Sequence, residues 1–399
     1  MRLAYFAYPH LGGTFSVFRH LRRGLAYHGV DVRWVGLGAD AQRSAADPMW
    51  AAEQATGLVV EAGDDSRGQA AALVREIERH GFDGVFVNIG GDFVQASAVR
   101  HLPRHVLRIL IAHNITPGVH AAARALRDSV HAGVGVVPRI RNDLIRHSGF
   151  DPDFTVAIPN ATDFAETERP RPPRAEGPFR LLSLGRVEDA SKGVFWLPAI
   201  LDRVPADVTL TVAGDGPDLA RLRALFAPLG DRVGFLGAVP PSRATDLFAN
   251  HDAIIAPSRF EGMPVTMLEA MAAGCVPVAS NIHGVMDEVV QDGMSGMLFP
   301  VGDVAAAARC IARLRGDRAL VDAMAEEGQA RARALFRIDL MAVRYHRLIR
   351  RLAAQPPPVA EPLPIADWVM PSGLRPGLRT YLPSPVKNFL RTYKERLAL

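Results

Sequence analysis

Short apolar, β-rich runs recur along the first half of the chain, at residues 3–8, 32–35, 84–87, 107–112, 134–137 and 155–158, with amphipathic stretches such as 16–28, 68–80 and 119–130 between them. Apolar runs of four to eight residues that alternate with helical periodicity predict a parallel sheet covered by helices on both faces. A second series follows at 180–184, 208–213, 253–256, 276–279 and 296–299. The pattern therefore predicts an α/β protein with two doubly wound halves.

Punctuation sets the boundaries. Residues 166–178 contain the run RPRPPR, which can propagate neither helix nor sheet and reads as an inter-domain connection. Residues 1–165 then form a first domain and 179–337 a second. Over 338–354, Leu340, Val343, Tyr345, Leu348, Ile349 and Leu352 mark a helix expected to return to the first domain. Residues 355–399 open with QPPPVAEPLP, a Pro-rich spacer, and end in a segment where Val386, Phe389, Leu390, Tyr393 and Leu397 share one stripe.

Charge separates this tail from the body. The 399 residues carry a net charge of +4, but residues 372–399 hold six basic side chains against Glu395 alone, so the tail is +5 and the remainder −1. A body without a basic excess argues against nucleic acid as the partner. The basic amphipathic stretch 386–397 has two readings: a cap that packs its apolar stripe on the first domain, or a helix lying peripherally on an anionic membrane surface. The second would suit a lipid-linked or cell-surface glycan acceptor. No run approaches a membrane span, MRLAYFAY lacks the features of a secretory signal, and Cys275 and Cys310 both read as buried thiols. Together these predict a cytoplasmic protein, at the inner face of the membrane if the tail binds lipid.

Candidate chemistry concentrates in EGMPVTMLEAMAAG at 261–274. Pro264 suits the first turn of a helix and Gly274 the position just past its end, giving about ten residues. The amides of Gly262, Met263 and Val265 then line a helix mouth that favours an anion such as phosphate. Glu261 lies at that mouth. Glu269 lies inside a helix apolar nearly all round, where a carboxylate is well placed to accept hydrogen bonds from vicinal hydroxyls. Two cations, Arg186 and Lys192, occur in LLSLGRVEDASKG just after a strand, spaced to converge on one diphosphate.

These segments resemble glycosyltransferase family 4, the retaining enzymes of the GT-B fold, in which two Rossmann-like domains face a central cleft. The family's paired Glu residues, separated by seven others, correspond to Glu261 and Glu269, and the flanking APSRFEGMPVTMLEAMAAGCVPVAS and HGVMDEVVQDGMSGMLFPVGD are similar as well. The resemblance implies transfer of a sugar from a nucleoside diphosphate donor, as co-substrate, to an acceptor hydroxyl. Retention, with the departing phosphate taking the acceptor proton, is implied in the same way. It places Arg186 and Lys192 on the diphosphate, Glu269 on the ribose, and Glu261 with the helix-mouth amides on the transferred sugar. It also implies that Gly12 and Gly13 in YPHLGGT lie against the diphosphate or acceptor, and that His113 in ILIAHNIT orients the sugar. Gly214 and Gly216 in VAGDGPDL would pack near the nucleotide, and Leu236 in VGFLGAV would lie in a loop contacting the base.

IPNATD, with Asn160 and Asp163, resembles the family's turn into the linker, although Ala161 stands where Gly is usual. Asn88 and Asp92 in NIGGDF are the acceptor-side candidates, able to hold or deprotonate a hydroxyl. Asp151-Pro152-Asp153 has the spacing of metal-dependent transferases, but a Pro between the acids reads as a turn. No His/Cys/acid cluster has metal-ligand spacing, so neither metal nor cofactor is expected. A sugar phosphorylase, a nucleotide-sugar epimerase and a non-catalytic sugar-binding protein are the rival readings.

Overall fold

The computed structural model describes residues 1–167, 177–377 and 381–397. The core of the inter-domain connection expected at 166–178 lies outside them. The chain divides into two compact units, Met1–Asn160 with Ile338–Thr380, and Ala161–Arg337 with Tyr381–Leu399.

In the first unit β1 (Arg2–Phe6), β2 (Asp31–Leu37), β3 (Gly57–Val60), β4 (Gly84–Ile89), β5 (Leu107–Ala112), β6 (Ala132–Gly135) and β7 (Thr155–Ala157) form a parallel sheet in the order β3-β2-β1-β4-β5-β6-β7. Every residue of β4 and β5 is buried, as expected of strands covered on both faces. Even Arg108 is enclosed: its guanidinium donates to the Leu102, Pro103 and Ser129 carbonyls, and burial lowers its pKa to about 10. Helix Ile338–Ala354 returns to this unit as expected, its Ala342 and Ile338 packing closely on Gly24.

The second unit carries β8 (Phe179–Leu184), β9 (Val208–Ala213), β10 (Val233–Gly237), β11 (Ala253–Ala256), β12 (Val276–Asn281) and β13 (Met297–Pro300), in the parallel order β10-β9-β8-β11-β12-β13. A core of Phe179, Leu181, Leu210, Val278, Phe299 and their neighbours lies against this sheet. Two strands, β3 and β10, were not expected. The first has only four residues at a sheet edge. The second alternates in exposure because it is an edge strand.

Three boundaries differ from the sequence reading. Residues 161–167 group with the second unit, where the Thr162 amide donates to the Phe336 carbonyl at 2.8 Å. The Pro-rich stretch after residue 355 is not a free spacer but a strap along the first unit. There the Leu363 amide donates to the Arg100 carbonyl at 2.9 Å, and Trp368 Nε1 donates to Ser97 Oγ at 3.1 Å. Helix Ser384–Leu397 belongs to the second unit with its apolar stripe exposed, which corrects the expectation that it caps the first domain. Of the cysteines, Cys275 is buried but Cys310 only half-buried.

Candidate active site

Each sheet reverses its winding once, between β1 and β4 in the first unit and between β8 and β11 in the second. Loops beyond the carboxyl ends of strands at such a reversal diverge and leave a crevice, the usual ligand position in open parallel sheets. The sequence candidates cluster at these loops. Gly12 and Gly13 follow β1, Asn88 lies within β4, and His113 follows β5. Arg186 and Lys192 follow β8, and Glu261 follows β11.

In the second unit the structure joins Lys192 to Glu261. Lys192 Nζ donates to Glu261 Oε1 at 2.7 Å, and Ser258 Oγ donates to the same oxygen at 2.7 Å. Glu261 is buried, whereas the Lys192 side chain keeps a third of its surface. With Oε1 committed to two donors, the first effect of Glu261 is to fix the Lys192 ammonium. Arg186 is exposed, 3.8 Å from Glu188 Oε1, and Glu188 Oε2 accepts from Ser191 Oγ beside Lys192, so one short loop carries both cations.

That loop is held from behind by a buried ion pair absent from the sequence reading. Arg259 Nη2 donates to Asp189 Oδ2 at 2.8 Å and its Nε to the Asp189 carbonyl at 3.0 Å, while the guanidinium stacks 3.8 Å over the Trp196 ring. Ser258 and Arg259 lie in APSRFEG beside the acidic pair, but their partners are some 70 positions away. No local signal links them.

Helix Val265–Ala272 runs from the mouth where Gly262, Met263 and Val265 are buried. Pro264 is its N-cap rather than its first residue, and the helix has eight residues, not ten. No side chain caps its N-terminus, and Gly274 closes the other end at φ 72°, a left-handed turn. Glu269 is half-buried within it. Gly214 and Gly216 do not stand alone at a pocket: they are where the β9 loop meets the backbone of Gly185 and Val187, on either side of Arg186. Leu236 lies at a register shift of β10 between Phe235 and Gly237, with its side chain about half exposed.

In the first unit His113 and Asn88 form a pair. Asn88 Nδ2 donates to the Phe6 carbonyl at 2.9 Å, which turns its Oδ1 toward His113 Nε2 at 2.7 Å. Nε2 therefore carries the proton and donates, and Nδ1 keeps a lone pair. Burial lowers the His113 pKa to about 4, so the ring is neutral near pH 7. Asn88 thus positions His113 and is not an edge group for an acceptor. Asp92 is corrected likewise: its Oδ1 accepts from the Val94 and Gln95 amides as the N-cap of helix Phe93–Ala98. Gly12 and Gly13 are exposed where helix Gly13–Ala26 begins, with no side-chain cap or acid in its first turn, an arrangement favourable to an anion. Asp151 caps a short turn through the Asp153 amide.

The His113 environment has a measurable consequence. A folded-state pKa of about 4 against an ordinary 6.5 means that the unfolded chain binds this proton more readily. The contribution to stability is complete above pH 6.5 and is lost as pH falls toward 4. Thermal melts at stepped pH should show a shallower acid decline for His113→Gln than for the parent. Equal slopes would remove the assignment. His131, also near 4, is common to both proteins and cancels.

Two doubly wound parallel sheets with these site loops define a GT-B fold. Residues 178–317 match the family described as glycosyl transferases group 1, and the chain belongs to that family through its second unit. Among solved structures, that of Anabaena HepE in complex with UDP-glucose aligns with TM-score 0.71 at 18% identity, over 89% of this chain and 100% of the other. An exopolysaccharide phosphotransferase of Streptomyces coelicolor is 36% identical over 152 residues, 37% of this chain and 16% of that protein. A phosphatidyl-myo-inositol mannosyltransferase of Mycobacterium leprae is 34% identical over 145 residues, 34% of this chain and 37% of that protein. The chain thus spans well under two thirds of these curated relatives. No helix among the described residues is long and apolar enough to cross a membrane, and no group of three or more His, Cys, Asp or Glu among them is placed to hold a metal ion.

Proposed function

We propose that the protein is a retaining glycosyltransferase that moves a sugar from a nucleoside diphosphate donor to an acceptor hydroxyl without a metal ion. The observation that carries this reading is the Lys192 ammonium, fixed 2.7 Å from buried Glu261 beside the mouth of helix Val265–Ala272. When the bond from the anomeric carbon to the phosphate oxygen breaks, the electron pair stays on the diphosphate. A preoriented cation and helix-mouth amides stabilise that charge more than they stabilise the bound donor. Arg186 supplies a second cation on the same loop, and Glu269 is suited to the ribose hydroxyls. The acceptor oxygen bonds to the anomeric carbon as its proton passes to the departing phosphate on the same face, which gives retention. In the first unit, neutral His113 offers an acceptor nitrogen suited to a sugar hydroxyl. The UDP-glucose bound by Anabaena HepE makes a uridine donor the first to test.

The test is nucleotide release from a panel of nucleoside diphosphate sugars, with and without hydroxyl acceptors, in the presence of EDTA. Release with net retention at the anomeric carbon is the expected result. Turnover that requires inorganic phosphate and a glycoside would indicate a phosphorylase, and conversion of the donor alone an epimerase. Tight binding of donors without release would indicate a binding protein.

A further inference from the structure

Helix Ser384–Leu397 is docked with its polar side inward. Asn388 Nδ2 donates to Asp189 Oδ2 at 3.3 Å, Arg391 Nη1 to the Ala190 carbonyl at 3.1 Å, and Arg396 Nε to the Val301 carbonyl at 2.7 Å. Arg259 Nη1 donates to Thr392 Oγ1 at 3.3 Å, the Arg391 guanidinium lies 4.7 Å over the Phe260 ring, and Glu395 is buried. The apolar stripe consequently points outward. Phe389 is 67% exposed, Leu397 68%, Tyr393 54% and Leu390 51%, with Val386 alongside.

A soluble helix ordinarily buries its apolar face, and five large apolar side chains in one exposed row need an occupant. At about 100° per residue the stripe covers roughly a third of the circumference. Lys387 and Lys394 border it on one side and Arg396 on the other. Phe389 and Tyr393 stack with ring centroids 6.0 Å apart, and Tyr381 is exposed just before the helix. An apolar row bordered by cations, with aromatic rings among it, matches the boundary between acyl chains and anionic headgroups. Packing the same face on a second copy would bring two tails of net charge +5 together.

We propose that this stripe is the docking surface for an anionic lipid bilayer, with the helix lying in the plane of the interface. The inward face holds Asp189 and Ala190, the segment that carries Lys192. Docking therefore fixes the donor loop of the second unit relative to the bilayer.

Sedimentation of the full-length protein with vesicles tests this without reference to turnover. Vesicles containing phosphatidylglycerol should pellet the protein at low salt, and pure phosphatidylcholine vesicles should pellet far less. The triple variant Phe389→Ser/Leu390→Ser/Tyr393→Ser should lose about a hundredfold in partitioning, and Lys394→Glu about tenfold or more. Because these side chains are exposed, both variants should melt as the parent does, which separates lost docking from lost folding. Absence of binding to anionic vesicles, or binding unchanged in the triple variant, would overturn the proposal. So would a concentration-dependent dimer that the triple variant abolishes, because the stripe would then be a self-association face.

Discussion

Replacing Lys192 by Ala should lower turnover by about 10²–10³-fold, the usual cost of deleting one preoriented group that stabilises charge in the transition state. The fixed ammonium is the only one of its kind in the proposed site: Lys192 is anchored on buried Glu261, whereas Arg186 is exposed and loosely paired. The substitution also leaves the Glu261 carboxylate with Ser258 but without its cation, which should cost about 1–3 kcal/mol of stability. Two effects are then mixed in one variant. Lys192→Met/Glu261→Gln separates them, because removing both charges relieves the stranded carboxylate and should recover most of the melting temperature while turnover stays low. If turnover recovers with stability, Lys192 acts through the fold and has no part in charge stabilisation.

The periodicity of the chain was sufficient for the strands buried on both faces. Parallel strands such as β4 and β5 read as solid apolar runs because neither face meets water. It was insufficient at edges, where β10 faces solvent on one side and presents the alternation of a loop-bordering segment. The site was legible wherever a residue's role depends on its place along a strand or helix: Glu261, Arg186, Lys192 and His113 all lie beyond strand ends, as read. Roles set by a distant neighbour were not legible. Asn88 resembled an acceptor-side group until its amide was seen to bridge the Phe6 carbonyl and His113, and Asp92 follows two glycines but caps a helix. The tail shows the same limit from another direction. A 3.6-residue period locates the apolar stripe but not which face goes inward. That choice was made by polar side chains finding the Ala190 and Val301 carbonyls and the Asp189 carboxylate.

Gly214→Ala should be the most disruptive conservative substitution in the second unit. Gly214 has φ 146°, where L residues are strained by about 1–3 kcal/mol. A methyl there would also overlap the Gly185 carbonyl oxygen, a backbone atom that a side-chain rotation cannot move aside. Overpacking against fixed atoms adds about 1–3 kcal/mol. The two backbones are tied on both sides, since the Gly185 amide donates to the Ala213 carbonyl at 3.0 Å and the Gly214 amide to the Gly237 carbonyl at 2.7 Å. Relief can therefore come only by shifting the loop that bears Arg186 or by opening the sheet edge at β10. A loss of about 2–6 kcal/mol corresponds to a fall of roughly 5–20 °C in the transition of a unit this size, and donor binding should weaken with it. Gly234→Ala is the matched control: it lies in β10, where nothing stands within 4 Å of an added methyl, and should melt with the parent. Coincident melting of Gly214→Ala and Gly234→Ala would show that the β8 and β9 loops have more room than their backbones display, and the placement of Arg186 beside Lys192 would lose its structural support.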